Sequence, residues 1–257
     1  MLKVDLNCDI GEGMPDDARI MPFISSANIA CGGHAGDIDS MRKTVELCLM
    51  HDVAIGAHPS YPDKNNFGRV NWLDVNNPKI DIWELPEILT EQIHSLIEVC
   101  NEFGTSLHHI KPHGALYNHM ATDLGSSNYL CEVIKAIDPR LYLYGLSGSR
   151  MQASAWANEI RFISEVFSDR TYQDNGTLIP RTQPNALIEN EADSMAQVLQ
   201  MVKNGLVKSV NGRQVAISAD TICVHGDGAK AADFARIIRQ KLEKEGIIVQ
   251  SPSLKES

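Results

Sequence analysis

The feature that most constrains the fold of this chain is the alternation of short apolar runs with longer amphipathic segments along its whole length. Such alternation is typical of a parallel sheet whose strands are joined by helices, rather than of an all-β or an all-α protein. The runs that we interpret as strands are Leu2–Asn7, Ala27–Ala30, Val53–Ala57, Leu107–Lys111, Leu141–Leu146, Phe162–Val166 and Thr221–Val224. Seven strands are close to the number that closes a barrel, so the sequence favours an α/β, (β/α)-barrel fold.

The segments between the strands carry helical patterns. The clearest one places apolar residues at steps of three and four from Leu85 to Cys100 and ends at Gly104. One segment departs from this rhythm, because Asn211-Gly212 stands between apolar flanks and is the favoured two-residue hairpin turn, in which both residues have φ > 0. We therefore predict a small β-hairpin excursion near 207–217. No linker interrupts the chain, so we expect one catalytic barrel domain over 1–250 and a flexible tail over 251–257.

Charge and composition restrict the function classes. The 23 Lys and Arg residues against 33 Asp and Glu residues give a net charge of −10, which argues against nucleic acid as a partner. No apolar run approaches the roughly 18 residues of a membrane span, and no export signal is recognisable at the N-terminus. The six cysteines are scattered without a C-x-x-C pair, as in a reduced protein. We expect a cytoplasmic protein with no membrane partner, and a homo-oligomer is compatible with this composition.

Unusual polar clusters begin where the predicted strands end. The carboxyl ends of all strands share one face of a β/α barrel, and the site is built from the loops on that face. Residues more than 200 positions apart in the chain are therefore expected to converge. The clusters are Asn7–Gly13, Cys31–Asp37, His58–Asp63, Lys111–Asn118, Glu165–Arg170 and His225–Gly228.

Four histidines in these clusters exceed what packing requires: His34, His58, His113 and His225. Imidazoles and a carboxylate at a barrel mouth are ligands for Zn²⁺, Mn²⁺ or Fe²⁺, and our candidates for a metal site are Asp9, His34 and His58. The spacing matches no helical H-x-x-x-H motif, so this assignment depends on the fold. The same side chains suit metal-free acid–base chemistry around an amide equally well.

Charged residues in the same clusters suggest further roles. Lys111 offers a positive charge to a carboxylate or an oxyanion, and His113 and Glu165 are candidates for proton transfer, with an internal ion pair as the alternative. Three arginines in the loops after strands three and six suit a substrate carboxylate, although surface salt bridges would explain them as well: Arg69, Arg170 and Arg181.

Other residues in the clusters have simpler explanations. Asp37 and Asp227 each precede a predicted helix and would serve as N-caps, although for Asp227 a functional role stays open. Cys31 is adjacent to His34, but a neighbour in sequence rarely forms a catalytic dyad, and a buried thiol is the simpler interpretation. No Walker A motif occurs in the chain, so any ATP dependence must use another polypeptide or an unorthodox site.

Several blocks resemble the LamB/YcsF family, in the order of that family and from residue 5 to about 246. They are Asp5–Glu12, Asn28–Asp37, Gly56–Pro59, Lys111–Asn118 and Cys223–Asp227. The resemblance implies a seven-stranded (β/α) barrel of the glycoside hydrolase/deacetylase type. It also implies the ATP-dependent opening of 5-oxoproline (pyroglutamate) to L-glutamate, carried out together with separate subunits B and C, which would explain the missing Walker motif.

The resemblance also gives a set of site residues, to which we assign roles from their chemistry. The expected catalytic residues are Lys111, His113, Glu165, His225 and Asp227. The expected substrate-binding residues are Asn7, Arg69, Asp169 and Arg170. The expected ligands of a divalent metal ion remain Asp9, His34 and His58.

Two alternatives stay open at this point. A metal-dependent deacetylase or carbohydrate hydrolase would use the same barrel and histidines, although three Trp and 6% aromatic residues provide few platforms for sugar stacking. A non-catalytic subunit that binds 5-oxoproline and presents it to its partners is the second alternative.

Overall fold

The structure, a computed structural model, describes residues 1–224 and 231–254. His225, Asp227 and the last part of the predicted tail, 255–257, lie outside the described residues. The strands are β1 (Lys3–Ile10), β2 (Ser26–Ala30), β3 (Ala54–His58), β4 (His109–Ile110), β5 (Tyr142–Leu146), β6 (Arg161–Phe167), β7 (Leu206–Lys208), β8 (Gln214–Ala216), β9 (Thr221–Val224) and β10 (Ile248–Val249). The α-helices are α1 (Asp17–Ile20), α2 (Ile38–His51), α3 (Leu85–Glu102), α4 (Gly114–Thr122), α5 (Leu124–Ile137), α6 (Arg150–Ala157), α7 (Glu191–Asn204) and α8 (Ala231–Lys244).

Seven strands form a closed parallel barrel. β1 to β6 follow one another in the sheet, and β9 pairs with both β6 and β1, which completes the circle. Cys8, for example, lies opposite Ala27 of β2 on one side and opposite Val224 of β9 on the other. The predicted seven-stranded barrel is therefore confirmed. The short β10 was not predicted, and it pairs with the first residues of β1 outside this circle.

The hairpin excursion is confirmed, since β7 and β8 pair antiparallel from Leu206 opposite Ala216 to Lys208 opposite Gln214. The predicted turn geometry is wrong, because only Gly212 of the Asn211-Gly212 pair has a positive φ, at 82°. Ser209 accepts the N–H of Gly212 and donates its own N–H to the carbonyl of Arg213, so the turn is longer than two residues. Asp174 explains the difference, since its carboxylate accepts hydrogen bonds from Ser209 Oγ and Asn211 Nδ2.

The helices cover the outside of the barrel with their apolar faces. In α3 the stripe that includes Leu85, Leu89, Ile93 and Leu96 is fully buried, as the periodicity predicts, and Gly104 follows the helix with φ 66°. Over the described ranges, no helix has the length and apolar character needed to cross a membrane.

Candidate active site

The loops at the carboxyl ends of β1 to β4 bring four side chains together. Glu12 follows β1, His34 follows β2, His58 ends β3 and His113 follows β4. One ligand atom from each lies within 4.8 Å of every other, so these residues form a group that could hold a metal ion. Glu12 Oε1 is 2.9 Å from His34 Nε2 and 3.4 Å from His113 Nδ1. We call these four residues the rim cluster.

Backbone carbonyls fix the tautomers of two of these imidazoles. His58 Nδ1 lies 2.7 Å from the carbonyl oxygen of Lys111, and His113 Nε2 lies 3.0 Å from that of Phe67, so both of these nitrogens must donate. The other nitrogens, His58 Nε2 and His113 Nδ1, face each other at 3.0 Å. In neutral rings both atoms carry lone pairs, and the Glu12 carboxylate faces them as well. Acceptors that converge in this way suit a bound cation.

Burial keeps two imidazoles of the rim cluster neutral. It lowers the pKa of His34 to about 3, and it lowers that of His113 to about 2 with the help of the neighbouring His58. The rings of His34 and His113 are stacked with centroids 3.6 Å apart. Gly68 allows this packing, because at its φ of 62° a Cβ would lie 2.9 Å from atoms of both side chains. A neutral imidazole is the form that ligates metals, so this environment favours a ligand role over a basic one.

Lys111 is the centre of the polar network beneath the rim cluster. Its ammonium lies 2.9 Å from Asp9 Oδ1 and 2.8 Å from Glu165 Oε1, and it also donates to Asn7 Oδ1 at 3.2 Å. Burial opposes the charge, but Asp9 first and then Cys223 and Glu165 outweigh it and hold the pKa of Lys111 well above its ordinary value. The three donors of this ammonium are therefore used within the protein.

The amide of Asn28 ties this network together. It donates from Nδ2 to Asp9 Oδ1 and to Asn7 Oδ1, both at 2.8 Å. Asn7 in turn donates to Glu165 Oε1 at 3.0 Å. Asp9 Oδ1 is thus held by Lys111 and Asn28, while Oδ2 lies 3.4 Å from His58 Nε2. Asp9 therefore stands beside the rim cluster with one oxygen turned toward it.

A cleft of about 700 Å³ opens at this rim. Asp9, Glu12, His58 and His113 contribute to its walls, and so does Arg170 from the loop after β6. Volumes of this size are typical of small-molecule sites.

Arg170 is a buried cation that forms no ion pair with a carboxylate among the described residues. Within this part of the chain its guanidinium donates to carbonyl oxygens, those of Ile179 at 2.6 Å and Ala186 at 3.4 Å. Burial, together with the nearby Arg181, lowers the pKa of Arg170, and the charge of the neighbouring Asp169 acts in the opposite direction. A buried guanidinium that faces a cleft is suited to an anionic ligand.

The structure brings most of the predicted site residues together, but at different depths. His34, His58 and His113 meet at the rim, with Asp9 beside them and Lys111 directly beneath. Asn7 and Glu165 lie one layer below it and are fully buried. Outside this group, Arg69 lines the exposed part of the cleft with its guanidinium 5.1 Å from the Phe67 ring centroid, and Asp169 is partly buried beside Arg170.

Two simpler interpretations agree with the geometry, and one site residue was missed. Asp37 caps α2 by accepting the N–H of Ser40. Cys31 is buried, and burial raises the pKa of its thiol to about 12. Glu12 was not assigned a role from the sequence. Its signals in the sequence were its place in the polar cluster Asn7–Gly13, which follows the first predicted strand, and in the block Asp5–Glu12 of the family resemblance.

Fold and site together define a β/α-barrel protein with a candidate metal centre at the carboxyl ends of its strands, where barrel enzymes carry their active sites. The family model of the LamB/YcsF family matches residues 4–256. The chain belongs to this family.

Individual relatives agree with this assignment. The chain is 48% identical over 259 residues to the 5-oxoprolinase A subunit of Bacillus cereus (strain AH187), with 98% of this chain and 100% of the relative covered. The crystal structure of a lactam utilization protein from Thermus thermophilus superimposes with a TM-score of 0.90 at 36% identity, over 98% of this chain and 100% of that one. A peptidoglycan deacetylase from Bacillus subtilis, at 11% identity and a TM-score of 0.50 over 97% of this chain and 87% of that one, shares the fold alone.

Proposed function

We propose that this chain is the A subunit of a 5-oxoprolinase, which opens 5-oxoproline to L-glutamate at the expense of ATP together with 5-oxoprolinase subunits B and C. The names of the relatives and the family support this role. The observation that carries it is the cleft itself, which is lined both by a rim cluster suited to amide hydrolysis and by a buried arginine without a carboxylate partner among the described residues.

The substrate's carboxylate is bound by Arg170 in this proposal. Lys111, which was also considered for this role, has its ammonium donors used by Asp9, Glu165 and Asn7, so it cannot hold the substrate as well. Among the described residues, the Arg170 guanidinium donates to carbonyl oxygens and would gain a charge-assisted pair when an anion binds. Arg69, on the exposed wall of the cleft, adds positive potential at the entrance.

The rim cluster fits a divalent cation, because three imidazoles and a carboxylate each place one ligand atom there. Glu12, His34, His58 and His113 would hold it, with Asp9 adjacent. When bound, such an ion supplies Lewis acidity toward a carbonyl oxygen and a water molecule. Deprotonated ligands are a requirement for metal binding, and the lowered pKa values of His34 and His113 meet it at neutral pH.

Proton transfer falls to Asp9 in this arrangement. Lys111 and Asn28 hold its Oδ1 and leave Oδ2 turned toward the rim cluster, where it can accept the proton of the attacking water. Lys111 provides positive charge below the site. Asn7 and Glu165 support Lys111 rather than contact the substrate, while His225 and Asp227 keep the catalytic roles expected from the sequence.

ATP is needed because a five-membered lactam resists hydrolysis. Phosphorylation of the lactam oxygen would make the ring carbon electrophilic. Water would then add to this carbon, the C–N bond would break as the nitrogen takes up a proton, and a second water would release inorganic phosphate from the resulting γ-acyl phosphate to give L-glutamate. The chain has no Walker A motif, so we assign ATP binding to the partner subunits.

The roles of Glu12 and Arg170 can be separated by experiment. Glu12→Gln should weaken the binding of Zn²⁺ or Mn²⁺ by at least roughly tenfold in isothermal titration. Glu91→Gln, which changes an exposed carboxylate on α3, is the matched control.

Arg170→Gln should raise the KM for 5-oxoproline in the reconstituted complex by roughly tenfold or more, whereas Arg239→Gln on the surface of α8 should not. Unchanged metal affinity and unchanged KM would contradict the assignments. Release of acetate from acetylated sugars without ATP would instead support a deacetylase, and binding of 5-oxoproline without turnover in the complex would support a presenting role.

A further inference from the structure

A second pair of histidines lies inside the barrel, below the network of Lys111, and has no part in the chemistry described so far. His109 is fully buried in β4, and its ring is stacked on that of Tyr144 with centroids 4.0 Å apart. Gly56, its partner in β3, makes room for the ring, since a Cβ there would lie 2.0 Å from His109 Nε2. The strand pairing thus reserves space for this imidazole.

The orientation of the Asn28 amide determines which atom it presents to His109. Lys111 can only donate, so the Asn7 atom at 3.2 Å from its Nζ is the oxygen. Asp9 Oδ1 and Asn7 Oδ1 can only accept, so the Asn28 atom at 2.8 Å from both is the nitrogen. Asn28 Oδ1 therefore faces His109 Nε2, at 2.8 Å, and His109 must donate.

The protons of the pair can be counted in the same way. His108 Nε2 lies 2.6 Å from the carbonyl oxygen of Pro252, so it also carries a proton. The two Nδ1 atoms face each other at 3.1 Å. With only the two Nε2 protons, these would be two opposed lone pairs. Unlike the facing nitrogens of His58 and His113, they belong to no candidate metal group among the described residues, so a metal ion does not account for them. A third proton between them satisfies every contact and gives the pair one positive charge.

The surroundings act on this charge in both directions. Burial lowers the pKa of both rings. The neighbouring His108 and then Lys111 lower that of His109 further, and Arg161 lowers that of His108. The hydrogen bond to Pro252 and the buried carboxylate of Asp5 favour the charged form of His108. The stacked Tyr144 ring covers one face of His109. The hydrogen-bond pattern, which two neutral rings cannot satisfy, decides in favour of the shared proton.

We propose that His109 is a positioning residue: held by a proton that it shares with His108, it donates from Nε2 to Asn28 and thereby fixes the Asn28 amide against Asp9 and Asn7. The effect of His109 on turnover rests on the proposed function, because His109 acts through Asn28 on Asp9, the base of that reaction. The number of protons on the histidine pair is independent of the proposed function.

Two substitutions of His109 separate positioning from packing. Glutamine reproduces the reach of Nε2 and keeps a donor for Asn28, whereas asparagine reaches only as far as Nδ1 and leaves Asn28 Oδ1 without a donor. In the complex with 5-oxoproline and ATP, His109→Asn should lower kcat by roughly tenfold or more with KM unchanged, and His109→Gln should stay within about threefold of the original kcat. Equal losses in the two variants would overturn the positioning role.

The shared proton is tested on the unmodified protein without any activity assay. Nitrogen-15 NMR of the histidine side chains at pH 7 should find three N–H protons on the four ring nitrogens of His108 and His109. Two protons would overturn the charged pair. If the wild-type complex forms no glutamate, the proposed function fails, whereas this count still decides the state of the pair.

Discussion

Replacing Lys111 by methionine is the most informative test of the network below the rim. The residue is 2% exposed, and its ammonium lies between Asp9 and Glu165, at 2.9 and 2.8 Å. Removal of one partner from a buried ion pair costs about 3–5 kcal/mol, because the remaining charge is left without compensation. For a domain of this size, each kcal/mol lowers Tm by about 2–4 °C, so Lys111→Met should lower it by about 6–20 °C.

The same reasoning predicts a partial rescue. Glu165→Gln removes a buried charge that Lys111→Met leaves unpaired. The loss of unfolding free energy in the double variant should therefore be smaller than the sum of the losses in the two single variants, by at least about 1.5 kcal/mol. Urea unfolding of the four proteins measures this coupling. Lys43→Met, which changes an exposed lysine on α2, is the control and should stay within about 0.5 kcal/mol. Additive losses, or a Tm of Lys111→Met close to the original, would refute the account of the network.

Three further predictions concern the rim. First, the pKa values of His34 and His113 are lowered to about 3 and about 2 in the folded protein, so at acidic pH the unfolded chain binds protons that the native state does not. The free energy of unfolding of the metal-free protein should therefore fall as pH drops from about 6.5 toward 3, and it should fall less steeply in His113→Gln. Urea unfolding at several pH values measures this. Second, burial raises the pKa of Cys31 to about 12, so iodoacetamide should label this thiol only after unfolding, as mass spectrometry can show. Third, Gly68→Ala should lower the free energy of unfolding by about 1–3 kcal/mol, because alanine is strained at a φ of 62°. It should also weaken Zn²⁺ binding, since the new Cβ would displace His34 and His113. An unchanged Zn²⁺ affinity in titration would contradict this packing.

The barrel could be predicted from the sequence because its strands are short, apolar and separated by amphipathic helices, so each element shows its own periodicity. The stripe of α3 from Leu85 to Leu96 is an example. The geometry of the turn at Gly212 could not be predicted in this way, because it depends on contacts with Asp174, which is distant in the sequence. Local turn residues predict that a hairpin forms, whereas distant contacts select the type of turn.

The candidate site shows the same division. The histidines after the strands are conspicuous, and barrel closure makes them meet. Glu12 is an ordinary loop carboxylate in the sequence, and its role follows only from its 2.9 Å distance to His34 Nε2. Asn28 and His109 are inward-facing residues of short strands, where no pattern distinguishes a hydrogen-bond relay from packing. The position of Glu165 beneath Lys111 could not be predicted either, because it depends on the register in which β6 pairs with its neighbouring strand.

The central claim is that the rim cluster of this chain is the hydrolytic site of an ATP-coupled complex that opens 5-oxoproline. The most direct measurement is glutamate formation from 5-oxoproline and ATP, with this chain alone, with subunits B and C added, and with Glu12→Gln in place of the original chain. The account predicts turnover only in the complete mixture and its loss with Glu12→Gln, while Glu91→Gln retains it. Glutamate formed at the original rate with Glu12→Gln would contradict the claim.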